Sequence, residues 1–379
     1  MSPDNRIDMH MHVGLLGNQW PQWGKLSDWY RRQLVYKIFL LYARIEEDQV
    51  SDQVLKEKAL ATIETSGLDQ VVCLALDPVY DTKGIRRPEL SHLWVHNDYI
   101  VELRKELPKK ILLGASVHPY DLKFRERVKK YVDEGAVLLK WLPSSQQIDL
   151  ADSRVKDALL FLAQARDGKP VPLLLHCGVE YAIPTFDFRT TSYDFLTWDW
   201  WDGFWNFLRF GKKWHKPKVK EIRANLEAAL DAGAVIIFAH CGLPYFAPNF
   251  LKKFAEHSDF DEVRRYLERN FKVPSGNKGR AYADISAFCT PFRRDYFKDV
   301  AKLPAEFLLF GSDFPTPAFE LSGDLGEMFE DLKAMLAGHL ERIVIPEDNL
   351  LDVNYHELQA AFPGHPMFKN FNTLLPASR

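Results

Sequence analysis

His10 and His12 stand one residue apart in Ile7-Asp8-Met9-His10-Met11-His12. In an extended strand, residues i and i+2 point to the same face, so the two imidazoles project together. Three further runs each end on one ionisable residue: Leu173-Leu174-Leu175-His176, Ile237-Phe238-Ala239-His240 and Leu308-Leu309-Phe310-Gly311-Ser312-Asp313. A fourth, Val137-Leu138-Leu139-Lys140, ends on a lysine. Singly these are ordinary: a strand-end histidine is commonly a satisfied core or surface group, and a lone lysine commonly caps or pairs. As a set they are not, because each such group buried unpaired costs about several kcal/mol. One divalent cation at the strand ends would satisfy them together. Neutral imidazoles with a carboxylate suit Zn2+ first, with Mn, Fe, Co or Ni as alternatives. A coordination position left to water would lower the pKa of that water to about 7.

Strands must carry these residues to one place, and eight runs rich in Val, Ile and Leu meet that need. They are Arg6–His12, Gln70–Leu76, Ile111–Val117, Ala136–Leu142, Pro172–Gly178, Val235–Gly242, Ala281–Ala287 and Phe307–Pro315. Several are apolar at nearly every position, as strands buried on both faces of a parallel sheet are. Helical periodicity falls between them, at Asp48–Ser66, Val95–Leu107, Leu122–Glu134, Arg154–Ala165, Val219–Ala232, Phe260–Asn270 and Leu325–Leu340. The alternation predicts an α/β fold, a distorted (β/α)8 TIM barrel in one domain over 1–379. An open doubly wound sheet usually has a Gly-rich first turn; Val13-Gly14-Leu15-Leu16-Gly17 offers no GxGxxG. Two aromatic-rich insertions, about 15–47 and 179–218, follow strands one and five. In a barrel they lie at the C-terminal face, where active sites form. The second holds Trp198-Asp199-Trp200-Trp201 and Trp205, suited to a lid or pocket wall, an oligomer interface or plain packing.

The 379 residues carry 49 Lys+Arg against 52 Asp+Glu, a formal charge of −3, which gives no basic footprint for nucleic acid or an anionic membrane. No secretory h-region opens the chain, and Val35 to Ala43 is interrupted by Lys37 and too short to span a bilayer. A cytoplasmic protein acting on a small molecule, with homo-oligomerisation open, is the expectation. Cys73, Cys177, Cys241 and Cys289 are scattered with no CxxC and read as buried thiols.

The order HxH, strand-four Lys, strand-five His, strand-six His and strand-eight Asp resembles the amidohydrolase superfamily. The endings His176-Cys177-Gly178, His240-Cys241-Gly242 and Gly311-Ser312-Asp313-Phe314-Pro315 resemble more narrowly its amidohydrolase-related branch. That branch includes lactonases and non-oxidative decarboxylases. The resemblance implies that His10, His12, His176 and Asp313 ligate one metal. It implies that His240 hydrogen-bonds the metal water or polarises the substrate, and that Asp313 shuttles a proton. In two-metal relatives the lysine matching Lys140 is carboxylated and bridges the metals, with the residues matching His176 and His240 on the second one. In one-metal relatives the lysine stays free and touches substrate. One metal is the preferred reading.

The reading is therefore a metal-dependent hydrolase of an ester, lactone or amide in a small cyclic or aromatic compound. Its rival is a metal-dependent non-oxidative decarboxylase of an aromatic or muconate-like acid, which would need a carboxylate-binding arginine such as Arg189, Arg293 or Arg294. A non-catalytic metal-binding scaffold is the third class, disfavoured because every ligand position is filled. His118, in Val117-His118-Pro119-Tyr120, is either a substrate contact or a loop histidine. Asp284 and Ser286 share a face and suit hydrogen bonds to the ligands.

Overall fold

The computed structural model describes residues 5–178, 196, 218–242, 259–273, 279–290, 293–316 and 347–376. Eight parallel strands follow one another round a single sheet in chain order. Strands one to eight are Ile7–His12, Gln70–Leu74, Ile111–Ala115, Ala136–Trp141, Leu173–Leu175, Val235–Phe238, Arg280–Asp284 and Leu308–Leu309. All eight expected runs therefore form strands, most of them shorter at the carboxyl end. Strand eight meets strand one through the Met9 N–H on the Phe310 carbonyl (3.1 Å), Asp313 on His10 (2.7 Å) and His12 on Phe314 (2.8 Å). These bonds close the sheet into a barrel with no free edge.

The expected helices are found at Asp52–Thr65, Asn97–Glu106, Phe124–Asp133, Ser153–Leu162, Val219–Asp231 and Asp259–Lys272. The helix expected over Leu325–Leu340, the insertion over 179–218 apart from Leu196 and Lys218, and Arg189 lie outside the described residues. One helix start needs correction. Leu93–Val95 is a strand, paired antiparallel with Gly24–Leu26, and the helix begins at Asn97, where the His96 ring accepts the Asp98 N–H. The β-branched and aromatic residues of Leu93-Trp94-Val95 favour that short pairing over a first helical turn.

The first insertion is organised from one carboxylate. Asp52, fully buried, accepts the backbone N–H groups of Leu16, Gly17, Gln19 and Trp20 at 2.6 to 3.0 Å. Trp20 and Trp23 then pack on Tyr99 of the Asn97–Glu106 helix, with centroids 6.4 and 5.8 Å away. Among the described residues no helix is long and apolar enough to cross a membrane.

Two apolar clusters divide the barrel. The larger one joins the outward faces of the strands to the helices; all four cysteines lie in it. The smaller one includes Val72, Leu74, Leu138, Leu174, Ile237 and Leu309, and it also takes in Phe371 from the C-terminal segment. Leu374 and Leu375 pack against it, and Asn372 Nδ2 donates to the Asn5 carbonyl just before strand one. The chain's last described turn thus seals the amino end of the barrel and leaves the carboxyl end for chemistry. Phe371→Ala should empty that plug and destabilise the fold by about 3–5 kcal/mol, measured by urea denaturation. A loss below about 1 kcal/mol would show that the end is closed by other residues.

Candidate metal centre

The barrel interior changes character at its carboxyl end, where lone pairs replace methyl groups. His10, carried by strand one past a register irregularity between Asp8 and Met11, is wholly buried. Its Nε2 lies 3.2 Å from His12 Nε2 and 3.3 Å from Asp313 Oδ1, and His12 Nε2 lies 3.4 Å from the same oxygen. Three donor atoms thus form a near-equilateral triangle. Donors about 2.0–2.1 Å from a tetrahedral ion stand about 3.3–3.4 Å apart, so this set fits a divalent metal without rearrangement. The fit rests on donor chemistry as well as spacing: two imidazole nitrogens and one carboxylate oxygen converge.

The backbone explains how Asp313 reaches the triangle. Asp313 has φ of 59°, a left-handed conformation that Asp tolerates better than most residues, and its N–H donates to the His10 carbonyl. Its Oδ2 accepts the Thr316 hydroxyl at 2.8 Å, which leaves Oδ1 turned to the histidines. Gly311, two residues earlier, has a separate duty. A Cβ there would stand 2.7 Å from His10 Cβ and 3.3 Å from Ser286 Cβ, so a side chain would push His10 out of place.

His240 arrives from a turn and not from the strand. Strand six stops at Phe238, and His240 and Cys241 are both left-handed, with φ of 53° and 52°. The strand expected to run to Gly242 is broken because Asp284 Oδ1 captures the His240 N–H at 3.0 Å. The His240 ring stacks on that of His10 (5.1 Å between centroids) and meets His176 edge-on at 5.2 Å. His176 is therefore brought to the cluster beside His240, and the tight triangle consists of His10, His12 and Asp313. Lys140, fully buried, donates from Nζ to His10 Nε2 at 3.1 Å.

Asp284 and Ser286 lie behind the ligands, as their shared face suggested. His10 Nδ1 donates to Asp284 Oδ2 at 2.9 Å, and the neutral ring therefore keeps its lone pair on Nε2, facing the triangle. His10, His240 and Asp284 also come close enough to be read as a second ligand set. There, however, the two Nδ1 atoms face Asp284 and Ser286, so hydrogen bonds account for the grouping. Asp8 was not singled out from the sequence. Its Oδ1 accepts the N–H groups of His10 and Ser312, both at 3.0 Å, tying strand one to the turn that presents Asp313.

The remaining candidates separate cleanly. His118 donates from Nε2 to the Gln146 carbonyl (2.8 Å) and accepts the Tyr120 N–H on Nδ1 (3.1 Å), so both ring nitrogens are used in holding loops. Around it Arg127 binds Asp77, Asp121 and Tyr80, closing a polar network over the ends of strands two and three. Cys177 and Cys241 donate to the carbonyls of Ala239 and Asp284 and pack in the barrel–helix layer. Arg294 pairs with Glu357 at 2.8 Å. Arg293 Nη1 reaches the Ala287 carbonyl at 3.5 Å, beside the end of strand seven.

Burial depresses every imidazole of the cluster. His240 is pushed to about 4 despite Asp313 and Asp284. His176 falls well below the ordinary range, with His240 and Lys140 adding to the effect of burial. Burial also lowers His10 and His12, and Lys140 reinforces it. Burial alone would raise Asp313, but His240, His10 and His12 outweigh it and hold the carboxyl well below its usual range. At neutral pH the site is thus a set of neutral imidazoles round a carboxylate, the protonation state that binds a metal.

Fold and site together define a parallel (β/α)8 barrel with an imidazole–carboxylate cluster at its carboxyl mouth. No family model matches the chain, and no curated protein matches it. Among solved structures it is similar to an uncharacterised TIM-barrel protein from Bordetella bronchiseptica, at 13% identity and TM-score 0.44 over 94% of this chain and 99% of that one. It is also similar to a putative 2-pyrone-4,6-dicarboxylic acid hydrolase from Pseudomonas putida (14%, TM-score 0.39, 92% and 98%). A third is 5-carboxyvanillate decarboxylase from Sphingomonas paucimobilis (12%, TM-score 0.41, 95% and 99%). Likeness at this distance says nothing about the chemistry of this chain.

The depressed imidazoles make acid a destabiliser. A histidine whose folded pKa lies below its unfolded value of about 6.5 binds fewer protons in the native state. Stability is then full above that value and falls as pH drops from it towards about 4, where His240 and His118 titrate. Asp8, raised to about 7 by burial, acts in the opposite sense over the same window, one carboxyl against several imidazoles. The metal-free protein should show a urea midpoint that falls steadily between pH 7 and pH 5. A midpoint that is flat or rises on acidification would contradict this electrostatic account.

Proposed function

We propose that this chain is a metal-dependent hydrolase acting on an ester, lactone or amide bond of a small cyclic or aromatic compound. The observation that supports it best is the triangle of His10 Nε2, His12 Nε2 and Asp313 Oδ1, with edges of 3.2 to 3.4 Å. His10, His12 and Asp313 would hold one metal there, Zn2+ first and Mn, Fe, Co or Ni as alternatives, and His176 and His240 lie beside this set. A divalent ion in this position supplies Lewis acidity and lowers the pKa of water to about 7.

Asp313 is the proton acceptor. Its Oδ2 is anchored by Thr316, its Oδ1 faces the reacting region, and it is ionised at neutral pH. His240 takes a part narrower than the resemblance implies. With Nδ1 donating to the Ser286 carbonyl and hydroxyl, the neutral ring has only a lone pair at Nε2, so it accepts a hydrogen bond from water or ligates. It does not donate to a carbonyl oxygen. Lys140 is the cationic donor of the site, and it keeps the decarboxylase reading alive, because an ammonium beside His10 is suited to a substrate carboxylate.

Metal analysis followed by a screen of lactones and esters against hydroxybenzoates tests the proposal. Hydrolysis with one metal per chain supports it, and carbon dioxide release without hydrolysis replaces it with the decarboxylase. Two metals per chain with a carbamate mass on Lys140 would replace the one-metal site. The His10→Ala/His12→Ala double variant should lose metal and activity together; full metal content in that variant would remove the site assignment. Asp313→Asn should lower kcat about 10^2- to 10^4-fold with little change in KM. A raised KM at unchanged kcat would make Asp313 a pocket residue only.

A further inference from the structure

Ser286 Oγ occupies the centre of a closed hydrogen-bond arrangement behind the two stacked histidines. It donates its single proton to Asp284 Oδ1. A hydroxyl has two lone pairs left, and two ring nitrogens lie in reach: His10 Nδ1 at 3.0 Å and His240 Nδ1 at 2.8 Å. Since the hydroxyl proton is committed to a carboxylate, neither ring can receive it, and both must donate. His10 Nδ1 has the second carboxylate oxygen, Oδ2, at 2.9 Å, and His240 Nδ1 has the Ser286 carbonyl at 3.3 Å, both pure acceptors. Every partner on this side therefore demands an N–H at Nδ1. Asp284 is itself fixed, because its Oδ1 also accepts the backbone N–H groups of His240 (3.0 Å) and Ser286 (2.9 Å).

We propose that Asp284 and Ser286 form one tautomer clamp on two histidines, holding both ring protons on Nδ1 so that His10 and His240 present their Nε2 lone pairs together. They are positioning residues and touch no substrate. The value of the clamp to catalysis rests on the metal-binding reading, but the clamp itself does not. A neutral imidazole populates both tautomers in water, with Nε2–H the major one, and a site needing two Nε2 lone pairs on one side must suppress three of the four combinations. Using one serine–aspartate pair for both rings couples them, so disturbing the pair affects two ligand positions at once.

Asp284→Asn discriminates sharply. Three donors converge on the Oδ1 position, the N–H groups of His240 and Ser286 and the Ser286 hydroxyl, so the asparagine oxygen belongs there and its NH2 must face His10 Nδ1. The Nδ1–H form of His10 then meets a donor. On the ring's other side Lys140 donates to Nε2, so His10 cannot satisfy both neighbours. A mixture containing the Nε2–H form should replace a single tautomer.

The experiment is nitrogen-15 NMR of the histidine rings in metal-free protein, with His10 and His240 assigned from His10→Gln and His240→Gln, beside zinc titration of each variant. Wild type should show both rings as Nδ1–H. Asp284→Asn should show Nε2–H at His10 and weaken zinc binding about 100-fold. Ser286→Ala keeps the Asp284 bond to His10 and leaves His240 Nδ1 with the longer 3.3 Å bond to the residue-286 carbonyl, so His10 should stay Nδ1–H while His240 becomes a mixture containing Nε2–H, with zinc affinity lowered about 10-fold or less. If Asp284→Asn fails to fold, the Ser286→Ala spectrum decides. An Nε2–H ring at either histidine in wild type, or unchanged tautomers in both variants, overturns the clamp. Correct tautomers in a protein that binds no divalent ion would leave the clamp standing and remove the metal reading instead.

Discussion

The bond from His10 Nδ1 to Asp284 Oδ2 joins strand one to strand seven, and strand eight lies between them in the sheet. Such a contact has to cross the intervening strand on the barrel's inner face. It can do so because the crossing point is Gly311, where a Cβ would collide with His10 and crowd Ser286. The same strand then continues to Ser312, whose N–H is held by Asp8, and to Asp313, whose N–H is held by His10. One histidine is thus the hub of the closure: its backbone carbonyl ties strand eight, one ring nitrogen ties strand seven, and the other ring nitrogen faces the site. Barrel closure and placement of the His10 and Asp313 side chains thus depend on the same set of bonds.

Much of this was legible in the sequence because strands buried on two faces have little freedom. Leu138-Leu139-Lys140 and Leu173-Leu174-Leu175-His176 read as runs that stay apolar until the barrel opens, and the lysine and the histidine sit where those runs end. Less legible were features that depend on pairs distant in the chain. His240 looks like the continuation of a strand, and only Asp284, 44 residues on, shows why the chain turns left-handed there. His118 and His240 are alike in sequence context, each a histidine after an apolar run. The first spends both nitrogens on backbone groups, and the second keeps one for the mouth. Gly311 gave no signal beyond belonging to a motif, since what it provides is space that other residues fill.

The polar residues of the mouth fall into two networks with different fates. Round Arg127, two carboxylates, a tyrosine and the backbone at His118 saturate one another, and the outcome is rigidity at the ends of strands two and three. Round Asp284 the bonds are just as complete, but they all lie on one side of the histidines. Their completeness there is what leaves the opposite side of each ring with a lone pair. On that opposite side His10 Nε2 accepts the Lys140 ammonium at 3.1 Å, so its lone pair is directed at a cationic donor and not at a backbone group. The rings thus carry an asymmetry between their two edges: acceptors hold Nδ1, and the Nε2 lone pairs face donors or positive charge.

That asymmetry fixes the charge of whatever the site accepts. His10 Nε2, His12 Nε2 and Asp313 Oδ1 bring three electron-rich atoms within 3.4 Å, and such a set is stable only around a cation or hydrogen-bond donors. Lys140 approaches it from within the barrel with its Nζ on His10 Nε2. An ion seated on the triangle would claim that lone pair and bring its charge beside the ammonium. In the proposed metal-bound site, Lys140 and the cation would add positive charge side by side, and an anionic group on the substrate would offset it.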